Sequence, residues 1–397
     1  MYQKTDITIE NKFELSHFLI GLMSIACAAS AANLYYAQPL LEQISKFFNV
    51  SSSIIGIAAM LIQIGYAIGL IFLVPLGDIK ERRRLIMIML FCSAIALIFI
   101  SISFNIWWLV LSSLLVGLTS ITPMLIVPLA AHLAKPAERG KVIGSVMSGL
   151  LIGILLSRVF SGIIGSILGW QIVYRIAAGM MILLILAFKL WLPKSAPDSS
   201  MSYKKLLKSL IGLLKNQPVL MEASLIGAMM FGTFSIFWTT LSFLLKSPYY
   251  NLGAEAAGMF GLAGIVGALA ASVVGRIADK RSSRFTLTIA IILSFLSYIC
   301  FLTFGYKMWG LIIGVILLDL GIQSGQISNQ ARINTLDATA RSRNNAVYMT
   351  FYFCGGALGS WLGTFFWGRF GWLGVCAVGI VFQAIAATIH ILGAKRR

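Results

Sequence analysis

The chain has 397 residues, 59% of them hydrophobic and only 11% charged, with a mean hydropathy of +0.91. A soluble protein of this length needs far more polar residues to cover its surface, so that class is excluded. The formal net charge of +18 does not indicate a nucleic-acid partner, because the cations sit in short breaks between apolar runs and not along one soluble face.

The apolar runs are about 20 residues long, the length that crosses a bilayer core. In the first half they predict spans at 15–38, 53–76, 84–103, 107–133, 142–166 and 171–192. Span 1 contains Ala26-Cys27-Ala28-Ala29-Ser30-Ala31, which resembles a processing site, but Glu10 and Glu14 stand against Lys12 before it. Without a basic leading region it reads as an uncleaved first helix. Pro39 frees the carbonyl of Tyr35 and predicts a kink. Asn33, Tyr35, Tyr36 and Gln38 are then candidates to line a substrate cavity, with ordinary core packing as the alternative. Pro123 and Pro128 predict a distorted span 4. Span 5 carries a deep charge, Arg158, while Arg175 lies about one turn inside span 6, where it can snorkel.

A polar stretch at 194–218 separates the halves, which gives domains at 1–193 and 219–397. Within it Leu206, Leu207, Leu210, Leu213 and Leu214 share one helical face flanked by Lys204, Lys208 and Lys215. That pattern predicts a basic amphipathic helix on the inner leaflet, or else a plain tether.

The second half predicts spans at 219–244, 256–277, 285–304, 309–331, 344–367 and 372–393. Asp319 falls near the middle of span 10. A carboxylate there is costly unless it faces a cavity, is paired or is protonated. Water loss favours its neutral form and a nearby cation its charged form, so a changing cavity can load and release a proton. Arg158 is the expected partner, in an ion pair between the halves; a fixed structural pair or a snorkelling arginine is the alternative. Gln323, Gln326 and Gln330 follow Asp319 on one face, with Asn329 beside them. They line a polar path or serve as helix–helix glue.

Lys and Arg cluster in alternate loops, for example Lys80, Arg82, Arg83, Arg84 and Lys280, Arg281, Arg284. This asymmetry predicts that both termini are cytoplasmic. The halves also echo each other at an offset of about 201–202 residues. Asp78-Ile79-Lys80-Glu81-Arg82-Arg83 matches Asp279-Lys280-Arg281-Ser282-Ser283-Arg284, and Gly169-Trp170 matches Gly371-Trp372. The same offset sets Phe237 and Trp238 opposite Tyr35 and Tyr36, adding them to the cavity candidates. The fold class is therefore an all-α polytopic membrane protein of twelve transmembrane helices, built as two parallel-related six-helix bundles. Small residues recur at every fourth position in spans 2, 5, 8 and 11, such as Gly65 and Gly69 or Gly355, Gly359 and Gly363, and these helices are expected to pack the two halves against each other.

The loop Gly77-Asp78-Ile79-Lys80-Glu81-Arg82-Arg83-Arg84, its echo Gly275-Arg276-Ile277-Ala278-Asp279-Lys280, and Asn33-Leu34-Tyr35-Tyr36-Ala37-Gln38-Pro39-Leu40-Leu41 resemble the major facilitator superfamily. The last of these is similar to its bacterial drug/proton and sugar efflux branch. Val74 and Glu81 stand where the family's loop has glycines, and Ser113 stands near the place of an antiporter arginine. The resemblance implies alternating access in a bacterial inner membrane, coupled to protons. It also implies a gating role for Asp78, Arg82, Arg83, Asp279, Lys280 and Arg284. The expected function is proton-coupled export of a small organic solute by a monomer; an uptake symporter or a solute sensor without flux is the alternative. No Walker A pattern, His-Glu-x-x-His or paired metal-ligand spacing occurs, so no catalytic group, metal or cofactor is expected.

Overall fold

The computed structural model describes residues 15–195, 203–278, 282–336 and 340–395, and all of the described regular structure is helical. Helix α1 (His17–Ala32) starts at Ser16, whose hydroxyl accepts from the Leu19 amide at 3.2 Å. It breaks at residues 33–36, and α2 (Ala37–Phe47) resumes the span. Pro39 thus falls in the first turn of α2, where its missing N–H costs nothing, and the Tyr35 carbonyl accepts from the Gln38 amide at 3.1 Å. The predicted kink is therefore a full break. Span 2 is α3 (Ser52–Phe72), followed by the short α4 (Leu76–Ile79). Then come α5 (Arg82–Ser101) and a span 4 broken into α6 (Ile106–Thr119) and α7 (Thr122–Leu133), with Pro123 opening the second piece. Helices α8 (Arg139–Leu168) and α9 (Trp170–Trp191) complete the first bundle.

Helix α10 (Tyr203–Asn216) lies in the polar stretch between the bundles. Leu210, Leu213 and Leu214 pack against the core, and the Tyr203 hydroxyl donates to the Phe72 carbonyl at 2.7 Å. The second bundle is α11 (Pro218–Lys246), α12 (Ala254–Ala278), α13 (Ser283–Phe304), α14 (Met308–Asn334) and α15 (Arg341–Lys395). Gly371, at φ 58°, divides α15 into two antiparallel-capable arms, 341–370 and 372–395. Ten stretches among the described residues are long and apolar enough to cross a membrane. With α15 counted as two and α12 added, the spans number twelve. Their outer surface presents Phe91, Trp107, Ile167, Leu190 and Leu373, a skin that suits lipid and would be unstable in water.

The internal repeat is a packing repeat as well. Gly169 (φ 90°) and Gly371, both in conformations that favour glycine, turn the chain between the last two spans of each bundle. A Cβ on Gly65 would strike Leu114 O and Leu118 N; one on Gly267 would strike Ile316 O and Leu320 N, an offset of 202 at each position. Gly153 meets Ala28 as Gly355 meets Ala228. Spans 2, 5, 8 and 11 do pack the bundles against each other, as α3 with the first arm of α15 and α8 with α12, but their glycines divide the work. Most glycines of spans 2, 5, 8 and 11 press against helices of their own bundle, where close backbone contact is permanent. Between the bundles only a few do so, chiefly Gly162 against Ala254 and Gly258, and Gly56 against Thr364.

The seam between bundles runs along α3 with the first arm of α15, α8 with α12, and α2 with α11. Ser52 Oγ donates to Thr364 O at 3.1 Å, Gln63 Nε2 to Ser360 Oγ at 2.7 Å, and Tyr66 packs on Phe353 at 4.3 Å between centroids. All this lies from mid-span toward the end opposite the basic loops. Toward the basic end the first half of α8 is uncovered. On the first half of α8, Gly144, Ser145, Met147, Ser148 and Leu151 are exposed, and nothing lies within 4 Å of a Cβ built on Gly140 or Gly144.

Candidate functional site

The buried face of α8 beyond its midpoint is Ser157, Arg158, Ser161, Gly162 and Gly165, a helical stripe that turns Arg158 into the seam. The guanidinium is fully buried. The break between α1 and α2 supplies two of its neighbours: Gln38 Oε1 accepts from Arg158 Nε at 2.7 Å, and the Tyr35 ring lies 5.0 Å from its Cζ. The second bundle supplies two more. Phe234 and Trp238, one turn apart on α11, place their rings 5.3 and 4.0 Å from Cζ. Arg158 therefore touches both bundles at once.

Asp319, on α14, is 1% exposed. Helix α12 approaches both charges through its glycines: a Cβ on Gly261 would lie 3.3 Å from Arg158 Cβ, and one on Gly264 3.3 Å from Asp319 Oδ2. Gly261 and Gly264 are one turn apart, so the two charges lie close together along α12. Yet no direct ion pair within 4.0 Å joins them in this conformation. Arg158 Nη1 and Nη2 and Asp319 Oδ2 are all buried without a hydrogen-bond partner. Other buried polar atoms also lack a partner, among them Asn344 and Gln383, but those are neutral amides. Ionisable groups this deep in a membrane span are costly enough to mark function. The repeat supplies neither charge twice: at the offset of 202, Gly117 stands opposite Asp319 and Ser360 opposite Arg158.

Several expected cavity residues gather here and others do not. Tyr35, Gln38, Trp238, Arg158 and Asp319 cluster at the seam. Gln326 accepts from the Tyr352 hydroxyl at 3.4 Å, Gln323 and Gln330 are half-buried, and Asn329 Oδ1 accepts from Arg332 Nη1 at 3.5 Å. Asn33 instead donates to Met181 Sδ at 3.8 Å, and Tyr36 packs on Phe160 and Tyr174, so both turn into the first bundle. Phe237 stacks on Phe301 at 4.4 Å inside the second bundle. One residue along a helix rotates a side chain by about 100°, which separates Phe237 from Trp238.

In the basic loop, Arg82 bonds the Gly77 carbonyl at 3.0 Å and approaches Asp78 at 3.5 Å, while Arg83 Nη2 donates to the Lys189 carbonyl at 2.6 Å. The cap on α5 is Glu81, which accepts from the Arg84 amide at 3.0 Å. Asp279 and Lys280 lie outside the described residues. Arg284 leaves its loop and joins a node that the sequence reading missed: Glu222 approaches Arg284 at 3.3 Å and Arg332 at 2.8 Å. A lone carboxylate one turn into span 7 was the available signal, as Phe234, four residues before Trp238, was for the third ring around Arg158.

A twelve-span helical membrane protein with two bundles meeting over buried charges is a transporter by class. The chain belongs to the Major Facilitator Superfamily, whose profile matches residues 23–336. It is 41% identical over 385 residues to "Uncharacterized transporter YgaY" of Escherichia coli O157:H7, covering 97% of this chain and 98% of that one. It is 25% identical over 367 residues to "Probable sugar efflux transporter" of Helicobacter pylori (strain ATCC 700392 / 26695), covering 91% and 89%. Among solved structures it resembles a bacterial homologue of the human lysosomal transporter Spinster in an inward-facing, unoccupied conformation. The TM-score is 0.75, with 14% identity over 95% of this chain and 96% of that one.

Proposed function

We propose that the protein exports a small organic solute in exchange for protons, by alternating access, across a bacterial cytoplasmic membrane. The observation that carries this reading is the pair of buried, unmet charges at the seam, one from each bundle, with Arg158 held by residues of both. Asp319 is the proton carrier and Arg158 the group that senses whether it is charged. Relatives named as sugar efflux transporters favour export.

Residues 1–193 and 219–397 are the two moving halves and 194–218 their tether. Loop charge sets the basic end, with both termini, in the cytoplasm. On that assignment the opening at the basic end is the inward-facing state. The loop around Asp78, Arg82 and Arg83, its echo at Asp279 and Lys280, and Arg284 control opening at that end. The protein acts as a monomer.

The test uses purified protein in liposomes with an imposed pH gradient and no ATP. Solute flux is expected in the wild type and is expected to vanish in Asp319→Asn, with an unchanged thermal midpoint in detergent. Undiminished gradient-driven flux in that variant would remove Asp319 from the mechanism.

A further inference from the structure

We infer that this site is built for a small zwitterion carrying one carboxylate, one ammonium and a flat apolar body. The inference rests on the transport reading above and names the substrate class of the same site. Arg158 has one edge occupied, since Nε donates to Gln38 Oε1 at 2.7 Å. Its other edge, Nη1 and Nη2, is buried and unpartnered. Two donors in that fork match the two oxygens of a carboxylate, a geometry a lysine cannot offer. The walls beside the fork are the faces of Trp238, Tyr35 and Phe234, at 4.0, 5.0 and 5.3 Å from Cζ. Rings stabilise a guanidinium but do not neutralise it, and they accept a flat apolar group at the same time.

One turn along α12, beside Gly264, Asp319 Oδ2 is buried and equally unpartnered. The two opposite charges sense each other without closing an ion pair. A zwitterion matches both ends: its carboxylate pairs with Arg158 and its ammonium with Asp319. A monoanion would pair with Arg158 only while Asp319 stays protonated, a monocation would leave Arg158 without a counter-charge, and a neutral polyol would pair with neither group. Only the zwitterion meets both in their charged forms. The zwitterion also accounts for exchange. Among the described residues, the Arg158 guanidinium and the neutral Tyr352 phenol are the titratable groups that interact with Asp319. An arriving ammonium must displace any proton that Asp319 holds, so solute and proton compete for one carboxylate.

Three probes that share a phenyl ring separate the alternatives: L-phenylalanine, 3-phenylpropionate and 2-phenylethylamine. Binding to the purified full-length protein is read by thermal stabilisation and calorimetry. L-phenylalanine is expected to bind on the order of tenfold or more tighter than either single-charge probe. Asp319→Asn should erase its advantage over 3-phenylpropionate, and Arg158→Gln its advantage over 2-phenylethylamine; the unliganded thermal midpoint reports whether each variant folds. Equal or weaker binding of L-phenylalanine to the wild type, or no binding of any probe, overturns the inference without recourse to variants. Gradient-driven flux of a neutral sugar with no probe binding would sink the zwitterion and leave proton-coupled export standing. The predicted binding order without gradient-driven flux would do the reverse.

Discussion

The contact between α8 and α12 offers a direct handle on which end of the transporter opens. Gly258 packs against Arg158 O and Gly162 so closely that an added Cβ would lie 2.5 and 3.1 Å from them. Backbone atoms on both sides leave no flexible side chain to yield. Gly258→Ala should therefore wedge apart the end of the seam that is closed in this structure. Overpacking of this kind costs about 1–3 kcal/mol, paid only in the closed arrangement, so the equilibrium should shift by roughly 5- to 150-fold toward opening there. The readout is alkylation of a cysteine placed at Ser161, which is buried beside this contact, in a background lacking the five native cysteines. Labelling should rise in Gly258→Ala. The control is Gly65→Ala, where the added Cβ would strike Leu114 O and Leu118 N of the same bundle. That change should lower the thermal midpoint and leave labelling at Ser161 unaltered. Equal labelling of both variants would refute the assignment of Gly258 to a separable seam.

Removing Arg158 while keeping Asp319 should be worse than removing both. Arg158→Ala leaves the Asp319 carboxylate without the cation beside it, and Asp319→Asn should restore part of the lost stability. A coupling of about 0.5–3 kcal/mol in a double-mutant cycle of unfolding is expected, and strict additivity would end the link. In the second bundle, Glu222→Gln removes the shared carboxylate of Arg284 and Arg332. Breaking such a buried pair costs about 3–5 kcal/mol, reduced here by the partial exposure of Arg284, so a lowered thermal midpoint in detergent is expected. An unchanged midpoint would show that the node contributes nothing to the bundle's stability.

Element number, span positions and the repeat were legible because each has a local cause. Twenty apolar residues have one stable solution in lipid, a helix, and the repeat leaves its mark on every loop. Arg158 and Asp319 stood out because a deep charge is expensive wherever the helix turns. Which helix face meets which partner was less legible. The break at residues 33–36 is one turn long, and it sends Tyr35 and Gln38 to Arg158 while sending Asn33 and Tyr36 the other way. Proline position foretold the break but not its angle. The glycine stripes marked the helices that join the bundles but not which glycine does so: Gly65 and Gly162 look alike in sequence although one faces its own bundle and the other the partner bundle. Glu222 stayed hidden because its partners, Arg284 and Arg332, lie 62 and 110 residues away.

The repeat builds a symmetric scaffold, and the proposed chemistry depends on where that symmetry fails. At the position corresponding to Asp319, the first bundle has Gly117, whose Cα side is filled by the Ile62 carbonyl. A carboxylate could not fit there without parting α3 from α6. At the position corresponding to Arg158, the second bundle has Ser360, which accepts from Gln63. At the seam each bundle thus contributes one charge, of opposite sign, and under the proposed alternating access their separation changes as the bundles move. At an effective dielectric of about 20, two unit charges attract by about 4 kcal/mol at 4 Å and about 2 kcal/mol at 8 Å. The difference of about 2 kcal/mol corresponds to roughly 30-fold in a two-state equilibrium. Under the proposed mechanism, protonating Asp319 or seating an ammonium on it cancels that attraction. The scaffold then responds through the one coordinate its symmetry leaves free, the rocking of one bundle against the other.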